Sequence, residues 1–513
     1  MNDQPDVFLD PGDLVASSGS GSDIYANEDW LFVSARGHPL GSVAAGKVDI
    51  WKLSESGYEL NQILQPTACS TAGFGGCSFG VSIASEGEWL AVGSFGGEVT
   101  QPETTGLVHL YHLDGDQWEL HEILRPIPGP PGVGTGFGTG LAISGGNLFA
   151  GAGLLMNPAG PRGAVHRYEL SHAAGATYAE TLSPPAQSDE IMGSVVAAHP
   201  NRVAAGAVFS SGSVSIYDRS LSGWECVQVL ERPLGNDDAL SFGRAIEFSE
   251  DGNTLFVSDA SVVPNEDDGR VYVYGWNKTA REYELSQTLE GREGSTQSLL
   301  GNQFGRSLRT SGRFLAIGSP TQAVNGRLIG CCEVYEQEGP HWVFKSRFAK
   351  PASLPDAFDT GTRVELLGGR LYVSGPYHFG GLGNAGGVYV WEFDDAQAIC
   401  QGTDPAHAIT AIKSGHPSGI YDIEVSGLDP QSWCVIALGD ARRAAPGAVG
   451  TFCIRGPMRA SLPAMVSAGQ ERIIFRNIPI RLSSGLRTTV QSFSRSAGSS
   501  AVFDVGPAAL VFE

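Results

Sequence analysis

The groups able to do chemistry in this chain of 513 residues are 55 carboxylates, 11 histidines and 8 cysteines. The carboxylates attract attention first because some of them gather. Asp189 with Glu190, Asp237 with Asp238, and Glu266, Asp267 and Asp268 lie in polar, turn-rich stretches, with Asp259 shortly before the last group. Carboxylates grouped on loops suit a cation or a basic partner, although solvated loop carboxylates need no ligand at all. Among the cysteines, Cys69 and Cys77 flank the Gly-rich run "CSTAGFGGC", which a disulfide could close. Cys400, Cys434 and Cys453 fall in the C-terminal part, where one pair is expected. No Cys/His spacing of a zinc site occurs, and neither does a nucleophile elbow, a P-loop or an HExxH helix. No catalytic residue, metal ligand or cofactor is therefore assigned.

The charge balance limits the partners. Net charge is −22. Residues 396–513 hold 8 acidic and 10 basic residues, so the whole negative excess sits on residues 1–395. A field of that sign repels phosphate backbones and argues against nucleic acid. No run of 18 apolar residues exists, so no membrane insertion is expected. The start "MNDQPDVFLD" has no basic and apolar signal-peptide pattern. Oligomeric state leaves no mark in the sequence.

The elements that must position these groups are strands. "FGVSIASEGEWLAVGS" at 79–94 returns as "FGTGLAISGGNLFAGA", "FGRAIEFSEDGNTLFVSD" and "FGRSLRTSGRFLAIGS". Each copy opens a meander of four short strands, a to d, joined by turn residues. The b strand recurs seven times, from "LFVSA" at 31 to "LYVSG" at 371, with Gly or Ser in fourth place. The c strand recurs as Gly-x-Val-x-x-aromatic, ending in Trp51, Tyr111, Tyr168, Tyr217, Tyr274, Tyr335 and Trp391. Six d strands open on Tyr58, Trp118, Tyr178, Trp224, Tyr283 and Trp342. A unit of this size cannot bury both faces alone, and packing seven around an axis solves the problem. The fold expected is all-β, a seven-bladed β-propeller of four-stranded antiparallel blades over residues 1–395. A small, β-sandwich-like C-terminal domain is expected over 396–513. The missing seventh d strand is expected from residues 6–11, "DVFLDP", with "AQAIC" at 396–400 as the alternative.

The Phe-Gly start and the "LAVGS"-like box resemble FG-GAP repeats, the blades of integrin-α-type propellers and of many secreted bacterial proteins. "GTFCIRGPMR" at 450–459 with "TTVQSFSR" at 488–495 is similar to a C-terminal module of exported bacterial proteins. The resemblance implies an extracellular or cell-surface protein whose signal peptide has been removed. It also raises calcium, which this family binds through Asp-x-Asp-x-Asp-Gly turns between strands a and b. Here those turns read "SEGEW", "SGGN", "HPNR", "SEDGNT", "SGR" and "LGGR", so no calcium site carries over.

Strand alternation puts the long b–c and d–a connections on one face, and the acidic loops named above fall there. His109 and His166 share one c-strand place that other blades fill with Asp49, Ser215, Tyr272, Glu333 and Tyr389, as expected of a packing position. Cys332 replaces a repeat Val and is expected in the core. The function expected is a non-enzymatic binding or adhesion scaffold for a protein or glycan. Two rivals stand beside it. One is a polysaccharide lyase or hydrolase with its site in the central pocket of the long-loop face. The other is an architectural surface protein.

Overall fold

The computed structural model describes residues 7–9, 18–41, 43–54, 57–66, 76–95, 106–126, 136–153, 163–185, 192–208, 212–221, 223–233, 241–260, 269–291, 302–324, 327–350, 359–367, 369–376 and 386–392, and the backbone of the strands between 408 and 512. The chain divides into one unit of Met1–Lys52 with Tyr58–Phe393 and a second of Leu53–Gly57 with Asp394–Glu513.

The first unit is a seven-bladed β-propeller. Blade one comprises Ser20–Ala26, Trp30–Ala35, Val43–Ser54 and Gly57–Leu64, and blade two Ile83–Glu86, Trp89–Ser94, Leu107–Asp114 and Gln117–Leu124. Blade three is Phe137–Ser144, Asn147–Ala152, Val165–Ser171 and Gly175–Leu182. Blade four is Val195–His199, Arg202–Ala207, Ser213–Ser220 and Gly223–Glu231. Blade five is Phe242–Phe248, Thr254–Asp259, Arg270–Asn277 and Glu282–Glu290, and blade six Ser307–Ser311, Phe314–Ser319, Cys331–Glu338 and His341–Phe348. Blade seven takes Val364–Leu367, Arg370–Gly375 and Gly387–Glu392, and its fourth strand is Val7–Leu9 from the other end of the chain. That strand pairs Val7 with Val390 and Leu9 with Val388, so an N-terminal segment covers the open edge. Each a strand touches the next, and the a strand of blade seven touches that of blade one, which closes the ring.

The Phe-Gly signature has a backbone cause. Its glycine has positive φ in every blade, for example 88° at Gly80, 83° at Gly243 and 98° at Gly361. A Cβ on Gly80 would stand 2.6 Å from Ser34 of the preceding blade. Only glycine has both the conformation and the clearance. Blades one, four and seven keep the glycine but replace the Phe with Ser20, Met192 and Thr360. A second glycine, at the start of each c strand, lies against the backbone of the next blade. Gly46 meets Phe79, Gly106 meets Phe137, and Gly386 of blade seven meets Ser20 of blade one.

Side chains then fill the seams. The centre of the b strand is Phe32, Ala91, Phe149, Ala204, Phe256, Ala316 and Tyr372 in blade order. Phe32, Phe149 and Phe256 pack edge-on against Trp118, Trp224 and Trp342 of the following d strands, with centroids 5.4, 5.3 and 5.0 Å apart. Where the centre is Ala, the first b residue is bulky (Trp89, Arg202, Phe314), which keeps the seam close-packed. A bulge in each complete c–d pair re-aims the following d-strand side chain across the seam. Gln228 thus accepts from the Tyr283 amide at 2.8 Å and donates to its carbonyl at 3.0 Å, and Gln62 and Gln287 hold Trp118 and Trp342 in the same way.

Blade three departs from the sequence expectation. Ala176, not Tyr178, takes the seam place, since its amide donates to Glu122 as the amide of Trp118 does to Gln62. Tyr178 is displaced outward and 48% exposed. Cys332 is fully buried, as its repeat position implies.

In the second unit, Ala408–Lys413, Ile420–Ser426 and Arg472–Pro479 form one antiparallel sheet. A second sheet holds Ala460–Met465, Trp433–Asp440, Thr488–Arg495, Asp504–Val505 and Leu510–Phe512.

Candidate functional site

Seven a strands converge on the propeller axis, so their polar side chains meet residues of distant blades. Arg309 of blade six lies in the middle of such a group. Its Nε is 2.9 Å from Glu365 of blade seven, its Nη1 3.8 Å from Glu247 of blade five, and its guanidinium 5.0 Å from the ring of Tyr25 in blade one. Contact between blades six and one across blade seven is possible only near the axis. Tyr25 in turn donates its hydroxyl to the Ser85 carbonyl of blade two at 2.7 Å. One turn-length higher, Arg363 Nε donates to Asp23 at 2.7 Å, and Asp23 accepts the Ile83 amide at 2.9 Å.

Pairing registers order these groups along the axis. Ile24, Ile83, Leu141, Val196, Ile246, Leu308 and Val364 face equivalent b-strand positions. Tyr25, Glu247, Arg309 and Glu365 therefore form one layer, next to the a–b turns. Asp23 and Arg363 lie one layer nearer the b–c and d–a connections. Arg244 and Arg306, directly after the Phe-Gly of blades five and six, lie nearer still. The axis is thus acidic and neutralised toward the short turns and guanidinium-rich toward the long connections. In the first layer the remaining blades offer only Ala84, Ala142 and Ala197, so the charged lining occupies one flank.

Burial sets the protonation of this lining. It pushes Glu365 up to about 8, against the pull of Arg309 and with help from Glu247 and Asp23. Burial also raises Glu247 and Asp23, with Arg309 and Arg363 opposing. Burial pulls Arg244 below the usual guanidinium range, and the neighbouring Arg363 charge adds to that. The Arg244 Nε is buried and has no hydrogen-bond partner among the described residues. A desolvated donor of this kind, next to a second guanidinium, suits an anionic oxygen.

The residues singled out from sequence fare differently. Asp259 is 1% exposed. It pairs with the equally buried Arg232 and accepts from Ser241 Oγ at 2.6 Å, so it fastens the end of its b strand and belongs to no exposed patch. Asp189, Glu190, Asp237, Asp238, Glu266, Asp267 and Asp268 lie outside the described residues. His109 is buried edge-on against Phe79, with centroids 5.0 Å apart. His166 Nδ1 bonds Thr181 at 2.8 Å, and burial lowers its pKa to about 4. Both fill packing positions. Cys77 is disulfide-bonded, while Cys69, its expected partner, lies outside the described residues. The axial residues drew no attention in the sequence, because Tyr25, Glu247, Arg309 and Glu365 share a register position but no residue type. The signal they leave in the sequence is charge at a variable repeat position.

No family model matches the chain, and no curated protein matches it. Among solved structures, Saccharomyces cerevisiae Sqt1 aligns at 12% identity and TM-score 0.43, over 83% of this chain and 96% of its own. A putative 6-phosphogluconolactonase from Bacteroides uniformis aligns at 11% and 0.45, over 64% and 85%. Chaetomium thermophilum Sqt1 aligns at 12% and 0.43, over 82% and 95%. Likeness at this level carries no functional argument, which must come from the residues themselves.

Proposed function

We propose that this chain is a non-enzymatic binding scaffold of exported, FG-GAP type. It recognises a protein or glycan through the face of the b–c and d–a connections. The axial guanidiniums Arg244 and Arg363 anchor one acidic group of that ligand, a uronate or a peptide carboxylate. The observation that carries this reading is the buried, unpartnered Nε of Arg244. A protein of net charge −22 repels extended polyanions, so the local cation excess selects a single acidic group on an otherwise neutral ligand. The acidic residues expected on the long connections from the sequence, Asp189, Glu190, Asp237, Asp238, Glu266, Asp267 and Asp268, are assigned to basic or hydroxyl groups of the same ligand. The disulfide at Cys77 supports an oxidising compartment.

The lyase or hydrolase reading needs a base at the axis. Burial raises the Tyr25 pKa and its hydroxyl is committed to Ser85, so the phenol keeps its proton, while the axial carboxylates Glu247, Glu365 and Asp23 are each engaged with Arg309 or Arg363. A purely architectural role leaves the Arg244 donor without purpose.

The test is calorimetric titration with a uronate-terminated oligosaccharide and with its methyl ester. Binding of the acid, loss with the ester, and at least a tenfold loss in Arg244→Gln support the reading. Equal binding of acid and ester, or an unaffected variant, overturns it.

A further inference from the structure

We propose that Glu88, His112 and His172 form a binding site for a divalent transition metal of the zinc class, at the seam between blades two and three on the short-turn face. Glu88 stands in the a–b turn of blade two, which the Leu113 amide ties down by donating to the Glu88 carbonyl at 2.9 Å. His112 pairs across the sheet with Trp89, the residue after Glu88, so its imidazole stands beside the carboxylate. His172 arrives from blade three, in the c–d turn where Ser171 Oγ accepts the Ala174 amide at 3.2 Å.

The donors lie close to the spacing that a metal imposes. Glu88 Oε2 is 3.2 Å from His172 Nε2 and 3.7 Å from His112 Nε2. One donor atom from each of the three residues falls within 4.8 Å of the others. Ligand bonds of about 2.0–2.1 Å in a tetrahedron separate donors by about 3.3 Å. Two imidazoles and one carboxylate are a borderline-soft set that suits zinc over calcium or magnesium, and three protein ligands leave a position open.

A second observation points the same way. His112 Nε2 is buried and has no hydrogen-bond partner among the described residues. The ring is held by Trp89, at 4.8 Å between centroids, and stands edge-on to His172 at 4.7 Å. His121 also packs on Trp89, at 5.5 Å. It is not one of the residues whose donor atoms gather with those of Glu88, His112 and His172. Sequence spacing could not show this site, because its ligands come from two blades.

The experiment uses the full chain, stripped with chelator and titrated with zinc chloride alone. A parallel cobalt(II) titration reads the visible d–d bands of a low-coordinate site. The expected result is one equivalent bound, a higher melting temperature with excess zinc, and at least tenfold weaker binding in both Glu88→Gln and His172→Ala. Both residues are largely exposed, with Glu88 at 56% and His172 at 67%, so their variants should fold. His341→Ala, an exposed histidine in blade six, should bind as the parent does. Absence of heat and of cobalt bands at 100-fold the expected micromolar range overturns the proposal. So does zinc binding that both variants leave undiminished.

Discussion

Two flanks of one ring share a backbone and differ in almost everything that matters chemically. At the same a-strand register, blades two, three and four place Ala84, Ala142 and Ala197, while blades five, six, seven and one place Glu247, Arg309, Glu365 and Tyr25. The glycines, the strand pairings and the seams are common to both flanks. Chemical character therefore enters through positions that the fold leaves free, and it enters on one side. The bare flank needs only small residues that let neighbouring a strands approach. The charged flank must solve a desolvation problem, and it does so by sharing one guanidinium between two carboxylates.

Removing that guanidinium should have the largest effect. Arg309→Met leaves buried Glu247 and Glu365 without their guanidinium partner and should cost about 3 kcal/mol, the lower end for a broken buried pair because Arg309 keeps a quarter of its side chain in solvent. Ala142→Ser on the opposite flank should cost less than about 1 kcal/mol. Urea denaturation of the two variants checks the contrast, and equal losses would dissolve it. Next comes deletion of residues 1–12, which strips the closing strand from blade seven. Leu9 is buried and Phe8 packs on Tyr389 at 4.9 Å, so a loss of about 2–3 kcal/mol is expected. An unchanged melting temperature would mean that the edge needs no cover. The last effect is one of pH. The Glu365 pKa is raised to about 8 in the folded protein, against about 4.3 when unfolded. The folded state thus holds the extra proton between those values, and wild-type stability falls as pH rises through that window. Glu365→Gln removes its share of the dependence and leaves that of Glu247 and Asp23, so the variant's melting temperature should gain on the wild type from pH 5 to pH 8. A parallel pair of curves would place the titration elsewhere.

Much of the fold was legible because its causes are local and repeated. Gly-x-Val-x-x-aromatic marks a c strand wherever it occurs, and a positive-φ glycine cannot be replaced quietly. The closing strand was legible too, since Val7–Leu9 repeats the alternation of a d-strand end. Legibility ended where a residue's meaning depends on a distant partner. Asp259 stands out in its b strand, yet its partner Arg232 is 27 residues away in the chain. Tyr178 reads as a seam aromatic until Glu122 is seen to choose Ala176. His112 and His172 carry no pattern at all, because the turn that unites them with Glu88 exists only once two blades are packed.

The alternation of Phe and Ala along the b-strand centres has a further consequence, which is one of parity. A rhythm of two cannot run without fault around seven places, so one junction must join two residues of the same class. Here Tyr372 of blade seven is followed by Phe32 of blade one. At that junction the usual indole gives way to Tyr58, whose ring stands edge-on to Tyr372 at 6.1 Å with the two hydroxyls 2.9 Å apart. The ring thus has an origin written into its packing, at the junction between blades seven and one. A permuted propeller that opens elsewhere in the ring would still carry that fault at the same seam.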